Sequence, residues 1–145
     1  MEHHLVTIHL IRHEKTRANM EAKYLGWTDE PIVTYPILFS NLNPTTVYGS
    51  DLIRCMQTAE RYFPSANYVA SKKLRELHFG DFEMKTYGQL QDIQVYRDWI
   101  DNPYQVTPQG VRINKLMWAK GLPGRIMNTG WSFGYTFKSR NDKSQ

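Results

Sequence analysis

Residues 5–16 read LVTIHLIRHEKT, an apolar and β-branched run that ends abruptly in charged side chains. Such a run predicts a buried strand over residues 5–11. Residues 15–23 are rich in helix formers, so a helix is predicted shortly after the strand. A strand that turns through charged residues into a helix is the first unit expected of an α/β fold.

The same alternation continues along the chain. Residues 45–48 and 67–70 are short apolar runs that predict two further strands. Between them we predict a helix that Ser50 caps and that ends near Phe63. Strands that alternate with helices predict an α/β fold, a three-layer sandwich around a mostly parallel sheet.

The rest of the chain has weaker patterns. Residues 24–35 contain Gly, Asp and Pro and predict a loop. Residues 87–100 carry apolar side chains at helical spacing and predict a helix. Beyond Gly110 no period is sustained. We therefore expect one α/β domain over residues 1–110, with incomplete C-terminal elements, and an atypical basic segment over residues 111–145 that is not an independent domain.

Composition limits the classes of function. The chain has 145 residues and a net charge of +4, but residues 106–145 carry 7 basic side chains against 1 acidic, whereas residues 1–105 carry 11 against 13. A basic tail can contact nucleic acid or simply be solvated, and the sequence leaves both open. The single cysteine, Cys55, excludes an internal disulfide and a cysteine-rich zinc site. No apolar run approaches the ~18 residues of a membrane span, and no signal-peptide pattern opens the chain, so we expect a cytoplasmic protein without a membrane partner.

Charged groups that suit phosphate follow two of the predicted strands. Ligands of parallel α/β sheets bind beyond the carboxyl ends of the strands. Arg12 and His13 follow the first strand and Arg54 follows the second. Guanidinium groups bind phosphate oxygens in pairs, and a neutral imidazole can attack phosphorus. From spacing alone, surface ion pairs and an ordinary loop histidine are the favoured alternative.

Four motifs decide between these alternatives. They are residues 10–19 (LIRHEKTRAN), 26–29 (GWTD), 50–59 (SDLIRCMQTA) and 74–83 (LRELHFGDFE). In this order they resemble the histidine phosphatase superfamily, the phosphoglycerate mutase-like family with an Arg-His-Gly signature. The resemblance covers residues 5 to about 110 and is nearest to the small bacterial phosphatases, including alpha-ribazole phosphatase-like members, rather than to the glycolytic mutases.

The resemblance implies roles for individual residues. His13 would be the nucleophile that takes up the phosphoryl group as phosphohistidine. Arg12 and Arg54 would bind the phosphate oxygens and stabilise charge in the transition state. Glu76 would donate a proton to the leaving alcohol, for which its pKa must be raised. A salt bridge from Glu76 to Arg75 or Lys73 is the structural alternative.

The resemblance also implies the wider chemistry. Thr16 and Asn19 match positions that line the phosphate pocket. The substrate would be a small phosphorylated metabolite, the reaction phosphomonoester hydrolysis, and no metal ion or other cofactor would take part. The sequence leaves the oligomeric state open.

Four other residues are expected to be structural: His9, Cys55, His78 and Glu83.

Two departures from the family pattern bear on activity. Glu14 stands where the family has glycine, which brings a negative charge near an anionic substrate unless the side chain faces away. The family also supplies a second pocket histidine late in the chain, whereas no histidine here follows His78 and Gly110 is not followed by the family's Glu-Ser. The C-terminal part looks truncated or frame-shifted. A phosphate-binding remnant with impaired catalysis is therefore the second hypothesis, and nucleic-acid binding through the basic tail is the third.

Overall fold

The computed structural model describes residues 7–33, 40–103 and 105–112, together with the backbone of residues 134–138. The strands are β1 (Thr7–Ile11), β2 (Thr46–Gly49), β3 (Asn67–Ala70), β4 (His78–Phe79), β5 (Val111–Arg112) and β6 (Gly134–Lys138). The α-helices are α1 (Arg17–Met20), α2 (Ile53–Tyr62), α3 (Tyr87–Leu90) and α4 (Gln94–Asp101). Single turns of 3₁₀-helix lie at Lys72–Leu74 and Gly80–Phe82. The apolar residues 37–39 and most of the basic tail lie outside the described residues.

The main sheet has the strand order β1-β6-β2-β3. Strands β2 and β3 are parallel neighbours, and β6 runs antiparallel to both β1 and β2. Three of its four strands therefore run in one direction, as the sequence predicts for an α/β fold. Strand β6 was not predicted, because its five residues form no apolar run of the kind that identifies the other strands.

Helix α2 connects β2 to β3, and its predicted N-terminal cap is wrong. The helix begins at Ile53, and its N-cap residue, Leu52, makes no side-chain cap bond. The Ile53 N–H donates instead to a carboxylate oxygen of Asp29 at 2.8 Å, while the Ser50 hydroxyl accepts a long bond of 3.4 Å from the Leu52 N–H. A loop distant in sequence thus supplies the acceptor that the local sequence predicted at Ser50. The helix ends at Tyr62, with Phe63 as its C-cap, as predicted.

The single helix predicted over residues 87–100 is two helices. Thr86 and Gln89 form a capping box that starts α3, and Ile93 then takes an extended backbone conformation before α4. The break changes which side chains face inward, because Tyr96 and Trp99 are buried whereas Ile93 is 38% exposed. Burial of two large aromatic rings stabilises the fold more than an unbroken helix would.

A hydrophobic core that lies outside the strands of the main sheet, called the second core below, packs beneath the segment that precedes α3. Its buried members are Phe79, Phe82, Leu90, Tyr96, Trp99 and Val111. Strands β4 and β5 pair antiparallel across it, where Gly80 (φ +55°) approaches Gly110 so closely that a Cβ at Gly80 would lie 2.5 Å from the Gly110 carbonyl carbon. This packing fixes the position of residues 76–83.

The sequence predicts no membrane-spanning segment. No helix within the described segments is long and apolar enough to cross a bilayer.

Candidate active site

His13 lies directly beyond the carboxyl end of β1 and is buried, with 7% of its surface exposed. Its Nδ1 lies 2.5 Å from the backbone carbonyl oxygen of Glu14. A carbonyl can only accept a hydrogen bond, so this contact assigns the proton of the neutral imidazole to Nδ1. The lone pair is then on Nε2, the nitrogen that can act as a nucleophile.

The charge state of His13 suits that role. Burial lowers its pKa to about 4, against the opposing hydrogen bond to the Glu14 carbonyl. The positive charges of Arg54 and Arg12 lower the pKa further. The imidazole is therefore uncharged, and able to act as a nucleophile, at pH values above about 4.

Arg54 is fully buried in the first turn of α2. Its Nη1 donates to the carbonyl of Thr28 at 2.9 Å and its Nη2 to the carbonyl of Gly26 at 2.6 Å. Its Nε is also buried, and no hydrogen-bond acceptor reaches it from the described residues. A buried guanidinium N–H without an acceptor is costly, and an anionic ligand would satisfy it.

The Trp27 loop, residues 26–29, depends on Glu83. The carboxylate of Glu83 accepts hydrogen bonds from the backbone N–H groups of Gly26, Trp27, Thr28 and Phe79 at 2.9–3.3 Å, and from the Thr28 hydroxyl at 2.8 Å. Burial raises the pKa of Glu83, but these donors outweigh it and the pKa is lowered overall. Glu83 thus has the structural role predicted for it, since it fixes the carbonyl groups that hold Arg54.

Glu76 has the opposite environment. It is 3% exposed, and neither carboxyl oxygen accepts a hydrogen bond from the described residues. Burial raises its pKa to about 8, although Arg54 and Arg12 lower it and the charge of Glu83 adds to the increase. Glu76 is therefore a protonated acid at neutral pH, in a position where it can give up that proton.

The predicted alternative for Glu76, a salt bridge to Arg75 or Lys73, is wrong, because neither oxygen of its carboxyl group has a partner among the described residues. Arg75 forms two hydrogen bonds of 2.6 and 2.7 Å with the carboxylate of Asp51. Its guanidinium also lies 4.7 Å from the centre of the Trp27 ring. These contacts direct Arg75 away from Glu76, whose backbone carbonyl accepts the indole N–H of Trp27 at 2.9 Å.

The structure brings four of the predicted residues together. Arg12 and Arg54 both act on the pKa of His13 and on that of Glu76. Two cations, one neutral imidazole and one neutral carboxyl group therefore lie close enough to influence one another electrostatically.

Thr16 and Asn19 are engaged with each other. The buried Thr16 is the N-cap of α1, and the side-chain oxygen of Asn19 accepts from both the backbone N–H and the hydroxyl of Thr16 at 3.1 Å. Their contact with substrate stays a prediction, in which the amide nitrogen of Asn19 is the donor available to an anion.

Sequence reasoning missed the contribution of α2 beyond Arg54. The hydroxyl of Thr58 accepts the backbone N–H of Glu14 at 2.9 Å and donates to the carbonyl of Arg54 at 2.7 Å. Thr58 thereby links the residue that orients His13 to the helix that carries Arg54. The signal was the spacing of four residues between Arg54, Thr58 and Tyr62, which places all three on one helix face.

His78, His9 and the cysteine have structural environments. His78 packs against Trp27, with ring centres 5.1 Å apart, and its Nδ1 accepts the Gly80 N–H at 2.8 Å. Cys55 is buried in α2 and His9 is half-buried in β1. Within residues 7–33, 40–103 and 105–112, no group of three or more His, Cys, Asp or Glu side chains is placed to hold a metal ion.

An apolar cavity also has His13 in its lining. It lies between β1, β2 and α2, and its lining includes Ile11, Val47 and Phe63 but neither Arg54 nor Glu76. Its apolar walls make it unsuited to a phosphate.

Comparisons with known proteins agree with this geometry. Residues 36–117, more than half of the chain, match the model of the histidine phosphatase superfamily (branch 1). An adenosylcobalamin/alpha-ribazole phosphatase of Escherichia coli (strain K12) is 30% identical in an alignment 112 residues long, which covers 68% of this chain and 55% of that protein. The chain thus spans little more than half the length of the curated relative it matches.

Solved structures confirm the predicted fold. The alpha-ribazole phosphatase from Shigella flexneri superposes with a TM-score of 0.64 at 24% identity, over 76% of this chain and 61% of that one. The YhfR protein of Bacillus stearothermophilus gives a TM-score of 0.61 at 22% identity, over 77% and 64% of the two chains. The α/β fold of the phosphoglycerate mutase-like type is therefore the fold of this chain.

The role of Glu83 can be tested by Glu83→Gln, which keeps the shape and removes the charge. The amide presents one oxygen to five donors and turns an NH₂ group toward backbone N–H groups, so we expect the free energy of unfolding to fall by about 2–4 kcal/mol. Urea denaturation measures it. Glu60→Gln, at an exposed position of α2, is the control and should change stability by less than about 0.5 kcal/mol. Equal losses in the two variants would contradict the assignment.

Proposed function

Because the chain belongs to the histidine phosphatase superfamily, we propose that it hydrolyses phosphomonoesters through a phosphohistidine formed on His13. One observation carries the proposal. The buried, protonated carboxyl of Glu76 has no hydrogen-bond partner among the described residues, yet it lies in the field of Arg12 and Arg54, whose charges also act on the neutral imidazole of His13. A fold keeps a group in such an environment at a cost in stability, and proton donation to a leaving group is the use that explains it.

The first half-reaction transfers the phosphoryl group to the protein. The guanidinium groups of Arg12 and Arg54 neutralise the non-bridging oxygens, and Nε2 of His13 attacks phosphorus in line with the leaving oxygen. As the P–N bond forms, the P–O bond to the alcohol breaks and Glu76 gives its proton to the departing oxygen. The products are the free alcohol, phospho-His13 and ionised Glu76.

The second half-reaction restores the starting state. Water attacks the phosphoryl group of phospho-His13, and the Glu76 carboxylate takes the proton that this water loses. The P–N bond breaks, which returns neutral His13 and releases inorganic phosphate. A single carboxyl with a pKa near 8 can serve both steps, since it is protonated before the first and regains its proton in the second.

The proposed substrate is a small phosphorylated metabolite. Alpha-ribazole phosphate is the first compound to test, since two similar proteins are named as alpha-ribazole phosphatases. Every step above uses a side chain of this protein, so we propose a reaction without a metal ion or other cofactor. We further propose that the protein acts in the cytoplasm and as a phosphatase rather than a mutase.

A second candidate function follows from the missing histidine. No histidine follows His78 in this chain, and the family resemblance places a second one in the phosphate pocket. A chain that keeps Arg12, His13 and Arg54 without it could bind phosphate, or even become phosphorylated on His13, without efficient turnover. An acid-labile phosphohistidine that accumulates without product release would favour this candidate.

Replacement of the nucleophile tests the proposed function. His13→Ala should reduce the hydrolysis of p-nitrophenyl phosphate by about 10³-fold or more, because it removes the nitrogen that attacks phosphorus in the proposed first step. His9→Gln, in the strand that precedes His13 but outside the site, is the matched control and should keep the activity of the original protein. Unchanged turnover in His13→Ala would disprove the phosphohistidine route.

The pH dependence follows from the two shifted pKa values. Activity requires neutral His13, so kcat/KM should rise as the pH increases through about 4. It also requires protonated Glu76, so kcat/KM should fall as the pH increases through about 8. We expect a broad maximum on the acid side of neutrality, measured with p-nitrophenyl phosphate in buffers of constant ionic strength. An activity that still increases above pH 8 would contradict the role of Glu76 as the acid.

Glu76→Gln separates proton donation from a role in shaping the pocket. The amide fills the same space but cannot protonate the leaving group, so turnover of alkyl phosphates should fall by ~10²-fold or more. Aryl phosphates should lose much less, because a phenolate leaves without a proton. Steady-state rates on one substrate of each kind decide the matter, and equal losses would assign Glu76 to pocket shape alone.

A further inference from the structure

Helix α2 offers one face to the segment that carries the nucleophile. Arg54, Thr58 and Tyr62 follow one another at intervals of four residues along this face. The charge of Arg54 acts on His13, the hydroxyl of Thr58 accepts the Glu14 N–H, and the hydroxyl of Tyr62 donates to the Glu14 carboxylate at 2.7 Å. His13 and Glu14 therefore lie along α2 in the direction from its N-terminus to its C-terminus.

This arrangement fixes the position of the Glu14 carboxylate. Eight residues separate Arg54 from Tyr62, which corresponds to about 12 Å along a helix axis at 1.5 Å per residue. The Glu14 carboxylate, held at Tyr62, is thus turned to the end of α2 remote from Arg54. The sequence left open whether this side chain faces the substrate, and the structure turns it away.

The Glu14 carboxylate needs a hydrogen-bond donor to stay in this position. The C-terminal end of a helix carries partial negative charge, so the helix dipole disfavours a carboxylate there. The guanidinium group of Arg54, at the N-terminal end of α2, would attract it. The hydroxyl of Tyr62 opposes that attraction, and it remains a donor throughout the working pH range, because burial and then the bond to Glu14 raise its pKa to about 12.

We propose that Tyr62 is a positioning residue that keeps the Glu14 carboxylate out of the phosphate site. Without this contact the carboxylate would compete with the substrate for the arginine guanidinium groups and repel the phosphate dianion. The contact thereby lets a chain with an acidic residue next to its nucleophile bind an anionic substrate. This inference rests on the proposed function, because it requires phosphate to bind at Arg12 and Arg54.

A double-mutant cycle tests it. Tyr62→Phe removes only the hydroxyl, and we expect it to raise both KM for p-nitrophenyl phosphate and Ki for inorganic phosphate by about tenfold, with kcat changed less than about twofold. In a Glu14→Gln background, which has no carboxylate to release, Tyr62→Phe should change either constant by less than about twofold. Tyr87→Phe, at an exposed tyrosine of α3, is the matched control.

A second variant breaks the contact from the other side. Glu14→Asp keeps the charge but shortens the side chain, so that it no longer reaches Tyr62, and it should raise KM and Ki as Tyr62→Phe does. This variant decides the question if Tyr62→Phe does not fold. The inference is overturned if Ki for phosphate is unchanged in the variants, or if Tyr62→Phe is equally harmful in the Glu14→Gln background.

Failure of the proposed function and failure of the inference about Tyr62 give different results. Binding of inorganic phosphate, measured by isothermal titration calorimetry, does not depend on turnover. A protein that binds phosphate without hydrolysing esters would overturn the proposed function, while the same cycle measured on Kd would still test Tyr62. A protein that binds no phosphate at all would overturn both.

Discussion

The hydrogen bonds that Glu83 accepts hold the candidate site together. Its carboxylate orders the Trp27 loop, and two carbonyl groups of that loop hold the guanidinium of the fully buried Arg54. A buried guanidinium normally needs an anion, but an anionic side chain bonded to Arg54 would occupy the place that we propose for the substrate phosphate. Neutral carbonyl dipoles satisfy part of Arg54 and leave its charge available, and Asp29 of the same loop also bonds to the first turn of α2.

Burial then gives His13 and Glu76 the protonation states that the proposed reaction requires. Loss of solvent disfavours the charged form of any group, so it lowers the pKa of the imidazole and raises that of the carboxyl. The two arginines help His13 stay neutral but oppose the protonation of Glu76, and burial outweighs them there. The window between about pH 4 and 8, in which both groups are neutral, follows from one physical cause acting on groups of opposite charge.

Local signals predicted the positions of several elements correctly. Strand β3 lies at the predicted residues 67–70, and α2 ends at Tyr62 as predicted. The failures have tertiary causes. Asp29, not Ser50, caps α2 because the Trp27 loop lies against it, and the helix predicted over residues 87–100 breaks at Ile93 because Tyr96 and Trp99 enter the second core. Strand β6 pairs with β1 and β2 without an apolar run of its own.

The sequence by itself determined the α/β class, the family resemblance and the residues on which the proposed chemistry depends, namely His13, Arg12, Arg54 and Glu76. These follow from short motifs, in which the residue type and its place after a strand carry the information. Only the tertiary structure decided that Arg75 bonds to Asp51 rather than to Glu76, and that Glu14 turns to Tyr62 rather than to the substrate. The physical reason is that each choice depends on a partner 24 to 48 residues away. Charge and propensity along the chain do not specify which of several suitable partners the fold brings within hydrogen-bonding distance.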